Sequence, residues 1–148
     1  MIQVYDRHAL VVHDEPAFTA GVTKMFQALG FTVDAAVDSG VALARLTARR
    51  ADVVCVSLGL PRGSGYDLCE SLRKDPWLAR TRIIVVSDQS SPAIVAYAEE
   101  AGANAFLLRP FKLAALAECV ASVLDPDERR SNAAPEPAPD LGGRLAAQ

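Results

Sequence analysis

Four short apolar runs in this chain each end in residues able to bind or carry charge. His13, Asp14 and Glu15 follow Leu10-Val11-Val12, and Ser57 closes the run 52–57. Ser87 and Asp88 follow Ile83-Ile84-Val85-Val86, and Arg109 follows Phe106-Leu107-Leu108. An imidazole beside a carboxylate is a donor set for a transition metal. No second histidine or cysteine stands at ligand spacing, so His13 is read as a hydrogen-bonded pocket residue and no metal is expected. Arg109 presents a planar fork suited to a bidentate pair with Asp14 or Asp88; the alternative is a solvated arginine at a strand end. Ser57, Ser87 and Arg109 together offer donors to a small anion or ligand. Modification of Ser57 by a kinase is disfavoured, because it sits at the buried end of a central run.

These residues need elements to hold them, and the apolar pattern supplies five alternating units. Ala9-Leu10-Val11-Val12 is too short for a helix and suits a buried strand. Asp14, Glu15 and Pro16 open a segment with Phe18, Val22, Met25 and Leu29 at helical spacing, which Gly30 stops. A second strand covers 31–37, and Asp38 and Ser39 are cap types for a helix through Val41, Ala42, Arg45 and Leu46. The third strand spans 52–57, followed by a loop with Pro61, Gly63 and Gly65 and a helix over 66–74 that ends before Asp75-Pro76. The fourth strand covers 82–87. Ser91-Pro92 starts the fourth helix and Gly102 ends it. Residues 105–108 form the fifth strand, and Leu113, Leu116, Ala117, Val120 and Leu124 line one face of the last helix.

Strand and helix alternate with short connections, which predicts a parallel sheet with helices on both faces. From 125 the chain turns to scattered prolines and alanines, and 125–148 is expected to be a disordered Pro/Ala-rich tail. One folded domain over 8–124 fits the 148 residues, with no room for a second.

An apolar fraction of 51% is ample for a core, and the net charge of -3 gives no electrostatic footprint for nucleic acid. No polybasic segment addresses a membrane surface, and the first apolar stretch is too short for a signal core or a bilayer span. Cys55, Cys69 and Cys119 form no C-x-x-C pair, which suggests reduced thiols and a cytoplasmic setting.

Four stretches narrow the function. The opening Leu10-Val11-Val12-His13-Asp14-Glu15-Pro16, the strand 52–57 with Leu58-Gly59-Leu60-Pro61, the strand ending in Ser87, and the stretch 100–111 with Arg109-Pro110 occur in the order found in response-regulator receiver domains, the CheY-like superfamily. The chain resembles that family over 8–124. The resemblance implies a flavodoxin-like, doubly wound, five-stranded α/β sheet of order 2-1-3-4-5, with its site at the C-terminal strand ends. It also implies a signalling module, not an enzyme, acting in two-component-type phosphorelay signal transduction.

By the same resemblance, a working receiver accepts a phosphoryl group on an aspartate, with magnesium held by acidic residues and a lysine nearby. This sequence departs at the centre of that pattern. His13 stands for the first acid, leaving Asp14 with Glu15 beside it. Ser57 stands for the acceptor, and Arg109 for the lysine. Gly59 retains a backbone carbonyl, Ser87 and Phe106 retain the switch pair, and Asp88 replaces a very small residue. Serine cannot form an acyl phosphate, and arginine is not interchangeable with a compact ammonium. The expectation is a pseudo-receiver with weak or absent magnesium binding, acting through protein partners. Its candidate contact or homodimer face, on the fourth helix, fifth strand and fifth helix, includes Val95, Ala96, Ala114, Ala115 and Cys119. The alternative is a small-anion or ligand sensor in the former phosphorylation pocket.

Overall fold

The computed structural model describes residues 6–59 and 65–124. Pro61 and Gly63 of the third loop, and the 125–148 tail, lie outside the described residues. In chain order the elements are β1 (Arg7–Val12), α1 (Pro16–Ala28), β2 (Phe31–Ala36), α2 (Ser39–Ala48), β3 (Val53–Ser57), α3 (Gly65–Lys74), β4 (Arg82–Ser87), α4 (Pro92–Ala101), β5 (Ala105–Leu108) and α5 (Leu113–Val123). Neighbouring strands all pair in parallel, and the sheet order β2-β1-β3-β4-β5 is the expected one.

Successive side chains of a strand point to opposite faces, and here both faces are apolar. Leu10, Val12, Val54, Val56, Ile83 and Val85 join a core with α2, α3 and α4. Their neighbours Ala9, Val11, Val53, Cys55, Ile84 and Val86 join a second core with α1 and α5. Polar side chains are thereby displaced to the strand ends. The parallel arrangement brings every C-terminal end to one edge of the sheet.

Local signals set the boundaries. The Asp38 carboxylate accepts from Val41 N–H at 2.9 Å and caps α2, while the Ser91 hydroxyl accepts from Ile94 N–H at 3.3 Å and caps α4. Asp75 makes the expected turn, accepting from Trp77 N–H at 2.8 Å. Several boundaries differ slightly from expectation; β1 already begins at Arg7, and α5 ends at Val123, one residue before Leu124. Asp52 precedes β3 because its carboxylate is occupied by His8 N–H at 2.9 Å, closing the strand entrance. Val37 falls past the end of β2 and is exposed. Gly65 belongs to α3, not to the preceding loop. Trp77 is exposed, with the Arg50 guanidinium 4.2 Å above its ring.

At the opposite edge of the sheet, Arg73 of α3 makes a clamp that pattern reading missed. It donates to the carbonyls of Ala79 at 2.8 Å, Thr81 at 2.6 Å and Gly102 at 2.7 Å, and to Asn104 Oδ1 at 2.8 Å. Gly102 holds φ at +115°, and a β-carbon there would meet Arg73 Cγ at 2.6 Å. Glycine is required twice over at that position.

Gly65 has a different constraint: a β-carbon would lie 2.5 Å from the Ser57 carbonyl oxygen, which is backbone and cannot swing aside. Gly65→Ala is therefore expected to destabilise the domain by about 1–3 kcal/mol, the usual cost of overpacking. Urea denaturation measures it, and a neutral result contradicts the close approach of α3 to the end of β3.

Candidate functional site

The C-terminal ends of β1, β3, β4 and β5 surround a cleft of about 340 Å³ whose lining includes His13, Ser57, Gly59, Ser87, Asp88 and Arg109. Six of the expected pocket residues thus come together. Asp14 and Glu15 lie on the adjoining rim, both exposed.

His13 extends β1, its N–H donating to the Ala36 carbonyl at 3.0 Å, and its ring is buried. Nδ1 accepts from Glu15 N–H at 2.9 Å, so the neutral ring carries its proton on Nε2. The Phe18 ring packs against it at 4.4 Å between centroids. Burial first, and then the Arg109 charge, hold the His13 imidazole below its ordinary value, against the opposing pull of Asp14 and Glu15.

Arg109 is half-buried and pairs with neither Asp14 nor Asp88. Its Nη2 donates to Glu15 Oε1 at 3.2 Å, and the guanidinium carbon lies 4.3 Å over the Phe18 ring. Backbone geometry explains the choice. Arg109 N–H donates to the Ser87 carbonyl at 2.8 Å, continuing the β4–β5 ladder, and the side chain then leans toward the start of α1, where Glu15 and Phe18 stand. Nη1 approaches His13 Nε2 at 3.4 Å. Because Nε2 carries the proton, this is a meeting of two donors and adds to the depression of the imidazole.

Ser57 and Ser87 end β3 and β4 in the same local fashion. The Ser57 hydroxyl accepts from Gly59 N–H at 3.4 Å, and the Ser87 hydroxyl accepts from Gln89 N–H at 3.0 Å. Asp88 is exposed and makes no hydrogen bond or ion pair among the described residues. Phe106 is half-buried against the core beneath α4.

On the expected contact face, Ala96 and Ala114 are exposed, while Val95 and Ala115 are half-buried. Cys119, expected to fall only partly outward, is half-buried like Val95 and Ala115. It packs against the core beneath α5, and burial raises its thiol to about 11. Two large side chains of that face were missed: Tyr97, 53% exposed with its ring 4.1 Å from that of Tyr66, and Leu108, 44% exposed. Tyr97 directly precedes the inward Ala98, so its helical phase was the available signal.

The response regulator receiver domain family model matches residues 9–121, and the chain belongs to that family. It is 26% identical to the chemotaxis protein CheY of Pseudomonas aeruginosa, over 78% of this chain and 94% of that one. It is 30% identical to the DNA-binding response regulator MtrA of Mycolicibacterium smegmatis, and 29% identical to a gliding motility regulatory protein of Myxococcus xanthus. The matched regions span 44% and 13% of those two longer proteins. The chemotaxis response regulator CheY4 of Vibrio cholerae superposes with a TM-score of 0.76 at 25% identity, covering 80% of this chain and 98% of that one. The receiver domain of the sensor histidine kinase PA1611 of Pseudomonas aeruginosa, a structure with magnesium coordinated in its active-site cleft, superposes with a TM-score of 0.71 at 25% identity, covering 77% and 93% of the two chains.

The donor set here does not fit magnesium. The ion needs several hard oxygen ligands, carboxylates above all. Glu15 is engaged by Arg109, and Asp14 is the one remaining acid of the opening cluster. An imidazole and a neutral hydroxyl, at His13 and Ser57, stand where the resemblance places two carboxylates. Among the described residues, no three His, Cys, Asp or Glu side chains group closely enough to hold a metal. No described helix is long and apolar enough to cross a membrane.

Both histidines lie below the ordinary 6.5, His8 through burial first and then the Arg49 charge. The unfolded chain therefore takes up protons as pH falls through 6.5, while the folded one resists until its own lower values are reached. Stability is fully present above 6.5 and declines below it. Urea midpoints at about pH 7.5 and about pH 5.5 should show this loss, and His13→Gln should remove part of it. An undiminished loss in that variant places the acid sensitivity on His8 alone.

Proposed function

We propose that this chain is a pseudo-receiver: a domain of two-component signalling whose phosphorylation chemistry is gone and whose output runs through protein contacts. Family membership supplies the setting. The reading is carried by the C-terminal end of β3, where the acceptor aspartate is expected and Ser57 presents a hydroxyl instead. A hydroxyl gives no acyl phosphate and no carboxylate to a metal. Arg109 supports the reading, because a planar guanidinium stands where the resemblance places a compact lysine ammonium. Magnesium binding is weak or absent on this reading, since His13 and Ser57 bring no carboxylate to the cleft and, among the described residues, the acids around it form no close group of three. The domain is no enzyme in its own right, and the role of the old switch pair is taken by a fixed arrangement of Ser87 and Phe106.

Partner contact is assigned to the face of α4, β5 and α5, where exposed Tyr97 and Leu108 accompany Ala96 and Ala114. Aromatic and aliphatic anchors free of charge are what the centre of a protein interface uses. A second copy of the chain is one such partner.

Two experiments test the two halves of this reading. Incubation with magnesium and acetyl phosphate should leave the intact mass unchanged. A hydroxylamine-labile adduct of one phosphoryl group contradicts the loss of chemistry.

For the face, Tyr97→Glu or Ala115→Glu should weaken partner binding or self-association by about ten-fold or more, with the melting temperature largely kept. Ser57→Ala should be nearly silent in the same assay. A silent helix face combined with a sensitive Ser57 moves the functional surface back to the cleft.

A further inference from the structure

Several hydrogen-bond donors face the cleft with no acceptor among the described residues to receive them. Ser57 and Ser87 each accept one backbone N–H through the hydroxyl oxygen, which leaves each a proton to donate. Neither hydroxyl donates to any described residue. His13 is in the same position: Nδ1 is taken by Glu15 N–H, and among the described residues the Nε2 proton meets only the donor Nη1 of Arg109. These groups are not solvated at random on a surface. His13 is 7% exposed and Ser87 9%, so their outlet is the cleft itself. Buried donors of this kind are ordinarily matched by an acceptor.

We propose that the cleft binds a small monocarboxylate non-covalently, its two oxygens shared among the hydroxyls of Ser57 and Ser87, His13 Nε2–H and the Arg109 guanidinium. A carboxylate fits because its two oxygens accept about four hydrogen bonds in one plane. Arg109 is available for this role. Its bond to Glu15 is 3.2 Å long and faces solvent, the Glu15 side chain being 55% exposed, and such pairs are weak. Charge sets the upper limit on the ligand. Asp88 lines the same cleft without a cationic partner among the described residues, so a second negative charge on the ligand would be repelled. The wall also has an apolar part, Leu58, Tyr66 and Ile94, and the 340 Å³ volume exceeds what a bare carboxylate fills. A carbon chain or ring attached to the carboxylate would lie there. This inference stands independently of how the domain meets its partners. It gives a domain without phosphate an input of a different chemical kind.

An amide NMR titration of the whole chain with sodium benzoate tests it, against sodium chloride at equal ionic strength, sodium acetate and sodium phosphate. Saturable shifts are expected at Gly59 and Gln89, whose N–H groups sit on the two serine hydroxyls, with a dissociation constant of about millimolar. Benzoate should bind more tightly than acetate, and phosphate most weakly. Ser57→Ala and Ser87→Ala should each weaken benzoate about five-fold, while Ser87→Thr, which keeps the hydroxyl, should retain it. Melting temperatures of the variants separate loss of the site from loss of the fold. Absence of saturable shifts beyond the chloride control overturns the proposal. Benzoate binding unaffected by both alanine variants also overturns it, and phosphate binding tighter than benzoate overturns the charge argument.

Discussion

Burial of β1, β3 and β4 on both faces is the constraint from which the remaining organisation follows. The four central residues of β4, Ile83, Ile84, Val85 and Val86, are fully inaccessible, and each such side chain is worth roughly 1.5–3 kcal/mol relative to exposure. A polar group among them would lose its water with no partner supplied. Serine therefore enters these strands only at their last positions, Ser57 and Ser87, where a following backbone N–H can reach the hydroxyl. Two covered faces also demand helices on both sides, and with parallel strands that means a crossover between each pair. The crossovers deliver all the strand-end loops to one edge. Chemistry in this protein has one place to be.

At that edge a guanidinium, a carboxylate, an imidazole and a phenyl ring form a closed group. Arg109 is attracted by Glu15 and by the face of Phe18. Burial lowers the His13 imidazole below its ordinary value, and the Arg109 charge adds to that. The positive charge is thus delivered by the chain itself and held by contacts from α1. A cation bound from solution, by contrast, would respond to its concentration. The group couples the end of β5 to the start of α1 across the sheet edge, and Phe111 adds an edge contact to Phe18 with ring centroids 6.2 Å apart.

Much of this was legible in the sequence because strand burial and helix periodicity are local signals. The runs at 9–12, 52–57 and 82–87 suited buried strands, Asp38 and Ser91 announced their caps through side-chain chemistry, and Gly102 announced its own through its freedom at positive φ. The pocket residues were found because they follow those runs directly. What stayed hidden depended on direction in space. Glu15 rather than Asp14 meets Arg109 because of where α1 begins, which a charge pattern does not encode. Arg73 looked like a charged residue in the last turn of a helix, yet its partners are carbonyls six to twenty-nine residues away in sequence. Cys119 lies one position before the inward Val120, and a small thiol at such a margin is turned in or out by its neighbours.

The Arg73 clamp has a mechanical meaning for α4. This helix is gripped by its C-terminal end, where two guanidinium nitrogens hold the Gly102 carbonyl at 3.0 and 2.7 Å. Its N-terminal end follows Asp88, Gln89, Ser90 and Ser91, all exposed. The rest of this ten-residue rod, about 15 Å long, is held from one side only: Ala98 and Ala101 bury its inner face in the core, while Tyr97 stays exposed against the ring of Tyr66.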